Sequence, residues 1–140
     1  MQRQSISLAE AREIAQSATR DLDRLYIESL WYTGSRQGEM RLLTPANIGD
    51  GFLVLKNLKQ KETTTRSPHK QVFVSAEYIT TLKAFVDHEN ITENAYIFSK
   101  NGQTPWTKQT CWNVVTRASA AAGVMKVNRY GRIVPAWPHC

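Results

Sequence analysis

The spacing of the hydrophobic residues changes once, in the middle of the chain, and this change constrains the fold more than any other feature. On both sides of it, apolar residues recur at intervals of three and four, which indicates amphipathic helices. Between them lie two short apolar runs, Phe52–Leu55 and Gln71–Val74, and the first follows the turn sequence Gly49-Asp50-Gly51. Runs of this length beside turn residues are typical of strands. We therefore expect an α+β fold that is mainly helical and carries a small antiparallel sheet or hairpin.

Local signals place the ends of the predicted helices. Ser7 and Glu10 have the spacing of a capping box, which predicts a helix over residues 8–19. A second helix is predicted from Asp21 and ends at Gly34, and a third, capped by Ser35, is predicted over 36–43. Ser75 caps a fourth helix. The fifth runs from Thr107 to Ala122 and is closed by Gly123. The residues after Val124 show no clear period. Because we find neither a repeat nor a linker, we expect a single domain over residues 1–140.

Composition limits the class of protein. The chain has 140 residues, of which 41% are hydrophobic and 21% charged, enough to bury a core. No apolar run approaches the roughly 20 residues that a membrane helix needs, and the N-terminus has no signal-peptide core, so we expect a cytoplasmic protein. Two cysteines and three histidines lack the spacing of metal ligands, so we expect no metal site.

The charge favours a polyanionic partner. Eighteen Lys and Arg residues against twelve Asp and Glu residues give a net charge of +6. The segment between the two predicted strands contains a single acid, Glu62, and five basic residues: Lys56, Lys59, Lys61, Arg66 and Lys70. A basic hairpin tip of this kind can contact DNA. The alternative is a solvated, charged edge that prevents sheet aggregation.

Arg36 is the strongest candidate for phosphate binding. It follows the glycine that ends one predicted helix and begins the next, where a guanidinium and free backbone N–H groups can meet one phosphate. Glu39 lies on the same face and could hold the guanidinium in place. A plain surface ion pair at a helix start is the alternative interpretation. None of the five tyrosines has the setting of a nucleophile.

Taken in order, these segments resemble the catalytic domain of the tyrosine recombinases, the phage integrase family. Residues 33–39, Thr-Gly-Ser-Arg-Gln-Gly-Glu, are similar to the first catalytic box, Thr-Gly-x-Arg-x-x-Glu. Lys59 falls where that family has its hairpin lysine, and Lys61 is the competing assignment. The Ile-Phe-Ser stretch at 97–99 and the helix after Thr107 also match. His139 resembles the first residue of the second box, His-x-x-Arg.

The resemblance implies strand exchange on double-stranded DNA, in which a tyrosine attacks a phosphodiester without metal or nucleotide. Arg36 would stabilise the charge on the phosphorane, Lys59 would protonate the leaving 5′ oxygen, and His139 would move protons. Glu39 would support Arg36 from behind. Lys56, Arg66 and Lys70 would contact DNA. A phage, plasmid or other mobile element in a bacterial cytoplasm is the source that the family implies.

The printed sequence departs from the family pattern after His139. The second arginine and the nucleophilic tyrosine of that pattern would lie beyond Cys140. We therefore expect this polypeptide alone to bind DNA without cleaving it. We also expect apolar surface left open to favour self-association or binding to full-length recombinase protomers. Two alternatives are a non-catalytic DNA-binding regulatory remnant and a basic protein that binds RNA.

Overall fold

The computed structural model describes residues 7–56, 68–127 and 133–135 of the chain. The expected fold class is confirmed, since helices dominate and the strands form small antiparallel sheets. The elements in chain order are α1 (Leu8–Ser17), α2 (Asp21–Thr33), α3 (Gln37–Met40), a short 3-10 helix (Pro45–Asn47), β1 (Phe52–Lys56), β2 (His69–Phe73), α4 (Ala76–His88), α5 (Lys108–Ala121), β3 (Met125–Val127) and β4 (Ile133–Pro135).

The start of α1, the end of α2 and the starts of α4 and α5 are confirmed, whereas α1 ends at Ser17, two residues before the predicted end. The capping box of α1 is complete, because Ser7 Oγ accepts the Glu10 N–H at 3.1 Å and Glu10 Oε1 accepts the Ser7 N–H at 2.9 Å. Gly34 ends α2 in the left-handed conformation, with a φ of 64°. The hydroxyls of Ser75 and Thr107 cap α4 and α5, as their positions predict.

The short helix α3 differs from the prediction of a helix over 36–43. It contains four residues, and Arg36 rather than Ser35 precedes it as the cap residue, with extended backbone at φ −80° and ψ 153°. Ser35 instead donates its N–H to Thr33 Oγ1 at 3.1 Å. The helix cannot continue far, because Thr44 precedes Pro45, and a residue before proline is driven to extended backbone.

The first sheet is the predicted hairpin. Its strands β1 and β2 are antiparallel, with Leu53 opposite Val72 and Leu55 opposite Lys70. Both leucines are buried, whereas Phe73 at the end of β2 is 74% exposed. The strands therefore present one face to the core and one to solvent, as an antiparallel hairpin on a helical domain should.

A second hairpin, β3–β4, was not predicted. Its strands have three residues each and pair antiparallel, with Lys126 opposite Val134. The residues after Val124 therefore form strands although their sequence shows no clear period. Three residues are too few to show an alternating pattern, so the sequence carries no periodic signal for these strands.

The core is centred on an aromatic cluster between α2 and the segment before α5. The ring of Tyr26 meets Phe98 edge-on at 5.0 Å and Trp106 at 5.4 Å. Both partners are buried. Among the helices in the described part of the chain, none is long and apolar enough to cross a membrane.

Candidate nucleic-acid interface

Arg36 lies on a tightly braced turn between α2 and α3. Thr33 Oγ1 donates to the Ser29 carbonyl at 2.6 Å and accepts the Ser35 N–H, so the turn is tied to the last helical residues of α2. The side chain of Arg36 is exposed, and among the described residues no ion pair involves its guanidinium. Since α3 has only four residues, it contributes little as a helix dipole, and the guanidinium remains as the anion-binding group.

Glu39 is the buried centre of the site. Its side chain is 0% exposed, and its Oε1 atom accepts the backbone N–H of Arg36 at 3.1 Å. The same oxygen accepts a hydrogen bond from Lys70 Nζ at 2.8 Å. A buried carboxylate needs such partners, because its desolvation is costly. Glu39 thus joins the turn that carries Arg36 to strand β2.

Lys70 and Lys56 occupy different positions on the hairpin. Lys56 ends β1 and is exposed, whereas Lys70 is directed at Glu39 and only 34% of its side chain is exposed. Both residues were predicted from the sequence to contact DNA, and the contact between Lys70 and Glu39 was not predicted. The two residues are 31 positions apart, and only the strand register brings them together.

A groove beside Glu39 opens toward the hairpin. Its volume is about 270 Å³, and the groove is lined in part by Glu39, Lys56, His69 and Tyr96. Of the described residues of the predicted site, Glu39 and Lys56 line this groove, and Arg36 and Lys70 are joined to Glu39 by hydrogen bonds. The predicted residues Lys59, Lys61, Arg66 and His139 lie outside the described part of the chain.

Arg41 fixes the other end of α3. Its Nε donates to the carbonyl oxygen of Trp106 at 2.6 Å, and the neighbouring Met40 is fully buried. Trp106 belongs to the aromatic core and directly precedes the cap of α5. Both ends of α3 are thus held by long-range contacts, so the Arg36 turn rests on a rigid support.

The described tyrosines differ in how accessible they are. Burial raises the pKa of both Tyr26 and Tyr78, which suppresses the phenolate that a nucleophile requires. Tyr32 is stacked on Tyr78, with 5.3 Å between the ring centroids. Tyr96 is half-buried at the groove. Over residues 7–56, 68–127 and 133–135, no three His, Cys, Asp or Glu residues are grouped as metal ligands would be.

The fold is that of the tyrosine recombinase catalytic domain. The chain is similar to XerA recombinase, with a TM-score of 0.70 at 21% identity over 90% of this chain and 46% of that one. It is also similar to lambda integrase bound to DNA, with a TM-score of 0.65 at 20% identity over 89% of this chain and 44% of that one. A third similar structure is a lambda integrase tetramer bound to a Holliday junction, with a TM-score of 0.62 at 20% identity over 89% of this chain and 36% of that one.

These likenesses rest on structure alone. No protein-family profile matches the chain, and no curated protein sequence does. The chain spans less than half the length of each of these solved structures.

Proposed function

We propose that this chain is part of a site-specific DNA recombinase or integrase of the tyrosine recombinase family, and that Arg36 binds the phosphate at which strands are exchanged. The observation that carries the proposal is the exposed Arg36 guanidinium on a turn held by the buried carboxylate of Glu39. The chain also shares its fold with lambda integrase, which has been solved bound to DNA, and this likeness supports DNA as the partner.

Arginine suits the proposed role at Arg36 on chemical grounds. Its planar guanidinium can donate two parallel hydrogen bonds to phosphate oxygens and stays charged at any working pH. In phosphoryl transfer, charge builds on the oxygens of the transition state, and a fixed cation beside them lowers the barrier. The braced backbone of residues 33–36 fixes the point from which the Arg36 side chain extends.

The remaining steps belong to residues outside the described part of the chain. Lys59, or Lys61 in its place, would donate a proton to the leaving 5′ oxygen from the hairpin tip. His139 would move protons at the same phosphate. The nucleophile would be a tyrosine, forming a 3′-phosphotyrosine and releasing a 5′ hydroxyl. Lys56 and Arg66 would contact the DNA backbone.

We further propose that the 140-residue polypeptide binds duplex DNA but does not cleave it. Tyr26 and Tyr78 are buried, so neither presents its hydroxyl to a phosphate. The similar solved structures are also more than twice as long as the part that this chain covers. A DNA-binding regulatory remnant would also bind DNA without cleaving it. A recombinase fragment and such a remnant therefore differ only in whether the longer protein is active.

A nicked suicide duplex tests both parts of the proposal. The 140-residue chain should retard duplex DNA in a salt-dependent way and form no covalent adduct. Arg36→Ala should weaken binding and reduce the slope of log K against log salt by about 0.9, the value for one lost phosphate contact. Lys83→Met, which removes an exposed charge from α4, is the matched control and should leave binding nearly unchanged.

Three outcomes of that experiment would contradict the proposal. An adduct with the wild-type chain would disprove the claim of no cleavage, and Tyr96→Phe would then test the half-buried tyrosine at the groove. An unchanged salt slope in Arg36→Ala would remove the phosphate role of Arg36. Binding to RNA that resists salt better than binding to DNA would favour an RNA partner instead.

Association with other recombinase protomers is the remaining part of the proposal. Lambda integrase has been solved as a dimer and as a tetramer on DNA. In this chain, three large hydrophobic side chains of the described residues are exposed: Leu8, Tyr32 and Phe73. Sedimentation velocity of the chain with and without duplex DNA would test self-association, and a monomer under all conditions would contradict it.

A further inference from the structure

We infer that Lys70 is a positioning residue that holds Arg36 in place through Glu39, and that it does not itself bind a DNA phosphate. The inference rests on the proposed function, because it assigns the way in which Arg36 is prepared for phosphate binding. It also separates Lys70 from the other basic residues of the hairpin, with which its charge alone would group it.

The strand register determines which way Lys70 points. In β2, exposed and part-buried residues alternate, and Lys70 shares the less exposed set with Val72. Their antiparallel partners are Leu55 and Leu53, both of which are buried. Directly opposite residues in an antiparallel pair lie on the same face of the sheet. Lys70 therefore lies on the face toward the core, away from the face of His69 and Gln71.

Among the described residues, the ammonium of Lys70 is hydrogen-bonded to one atom of Glu39. Its Nζ donates to Glu39 Oε1 at 2.8 Å, and that same oxygen accepts the Arg36 N–H at 3.1 Å. Because the Glu39 side chain is wholly buried, the ammonium offsets the charge that keeps this oxygen in place. Without the ammonium, the carboxylate gains by moving toward water, and the Arg36 N–H loses its acceptor.

This arrangement is distinguishable from direct phosphate binding by Lys70. A lysine that binds a phosphate adds its own term to the salt dependence, independent of Arg36. A lysine that acts through Arg36 contributes to the salt dependence only through the phosphate contact of Arg36. The effects of the two substitutions on the salt slope are then not additive. The discriminating experiment is a double-mutant cycle of duplex DNA binding across a range of salt concentrations.

The variants are Lys70→Met, Arg36→Ala and their combination, with Lys83→Met as the control for loss of one positive charge. We expect Lys70→Met and Arg36→Ala each to lower the salt slope by up to about 0.9, and the double variant to lower it by no more than Arg36→Ala alone. Lys70→Arg, which keeps a cation beside Glu39, should recover most of the wild-type affinity. A slope that falls by about 1.8 in the double variant overturns the inference, since it corresponds to two separate phosphate contacts.

A second measurement does not depend on DNA. Hydrogen exchange of the Arg36 amide should be faster in Lys70→Met than in the wild-type chain, because the acceptor oxygen is released. Combining Lys70→Met with Glu39→Gln should slow the exchange again, since a neutral amide oxygen can stay buried and accept the same N–H. The combined variant also serves if Lys70→Met alone fails to fold.

The outcomes separate this inference from the proposed function. If the wild-type chain does not bind duplex DNA, the proposed function fails, and the exchange rates still decide whether Lys70 orders the Arg36 turn. If exchange at Arg36 is the same in the wild-type and Lys70→Met chains, the inference fails whatever the DNA affinity.

Discussion

Replacing Lys70 with methionine should cost more stability than its position on a hairpin strand would lead one to expect. The substitution keeps the length and the apolar stem of the side chain, so the packing against the sheet changes little. It removes the ammonium that lies 2.8 Å from a carboxylate with no exposed surface. The change therefore isolates the cost of leaving the Glu39 charge in place without Lys70.

The size of the effect follows from the burial of the two partners. Breaking a buried ion pair by removing one partner typically costs about 3–5 kcal/mol. Because a third of the Lys70 side chain is exposed, water can reach this region, and we expect the lower end, roughly 3 kcal/mol. The converse variant, Glu39→Gln, leaves Lys70 able to turn into solvent, and should cost about 1–2 kcal/mol.

Urea unfolding followed by circular dichroism measures these differences, provided that the slope of the transition is unchanged among the variants. The double variant Lys70→Met/Glu39→Gln should be more stable than Lys70→Met alone, because a neutral amide costs less to bury than a carboxylate. A loss of under about 0.5 kcal/mol in Lys70→Met, the range of ordinary surface substitutions, would refute the reasoning.

Three further predictions concern the helices and the core. Gly34→Ala should destabilise the chain by about 1 kcal/mol in the same urea assay. No atom lies within 4 Å of an added Cβ, so the loss comes from the φ of +64° alone. An unchanged midpoint of the urea transition would contradict this prediction. Tyr78→Phe should cost about 1–2 kcal/mol, because it removes the buried 2.6 Å hydrogen bond to Ser29 Oγ, and Ser29→Ala in that background should then cost little. Burial raises the folded-state pKa of Tyr26 and Tyr78, so their contribution to stability is complete below the unfolded pKa of about 10 and is lost as the pH rises above it. In an absorbance titration, the tyrosinate signal of these two residues should appear only with unfolding. Reversible ionisation of all tyrosines before unfolding would contradict this prediction.

Helix starts were predictable from sequence where a serine or threonine at the cap position binds the first turn. Ser7, Ser75 and Thr107 each accept a backbone N–H from the first turn of their helix, a local interaction that tertiary packing did not alter. The start of α3 was predicted one residue too early. Its cap residue is fixed by the Glu39 carboxylate, whose position depends on the distant Lys70.

The candidate site was predictable in its residue types and less so in its contacts. Arg36 follows a helix-ending glycine, as predicted, but it is the cap residue of α3 and does not lie in the first turn. The role of Glu39 as the acceptor for a lysine on β2 could not be read from spacing, because charge patterns do not reveal strand register. The β3–β4 hairpin escaped for a related reason, since its short strands are defined by pairing rather than by periodicity.

The alternating exposure of β2 divides its residues into two sets with unequal freedom to change. His69, Gln71 and Phe73 lie on the exposed side, where substitutions usually change stability little. Position 70 is constrained by residue 39 on another element, so a change at one favours a compensating change at the other. In related chains with this fold, positions 39 and 70 should therefore vary together, as acid with base or as two neutral residues, while the exposed side of the strand varies independently.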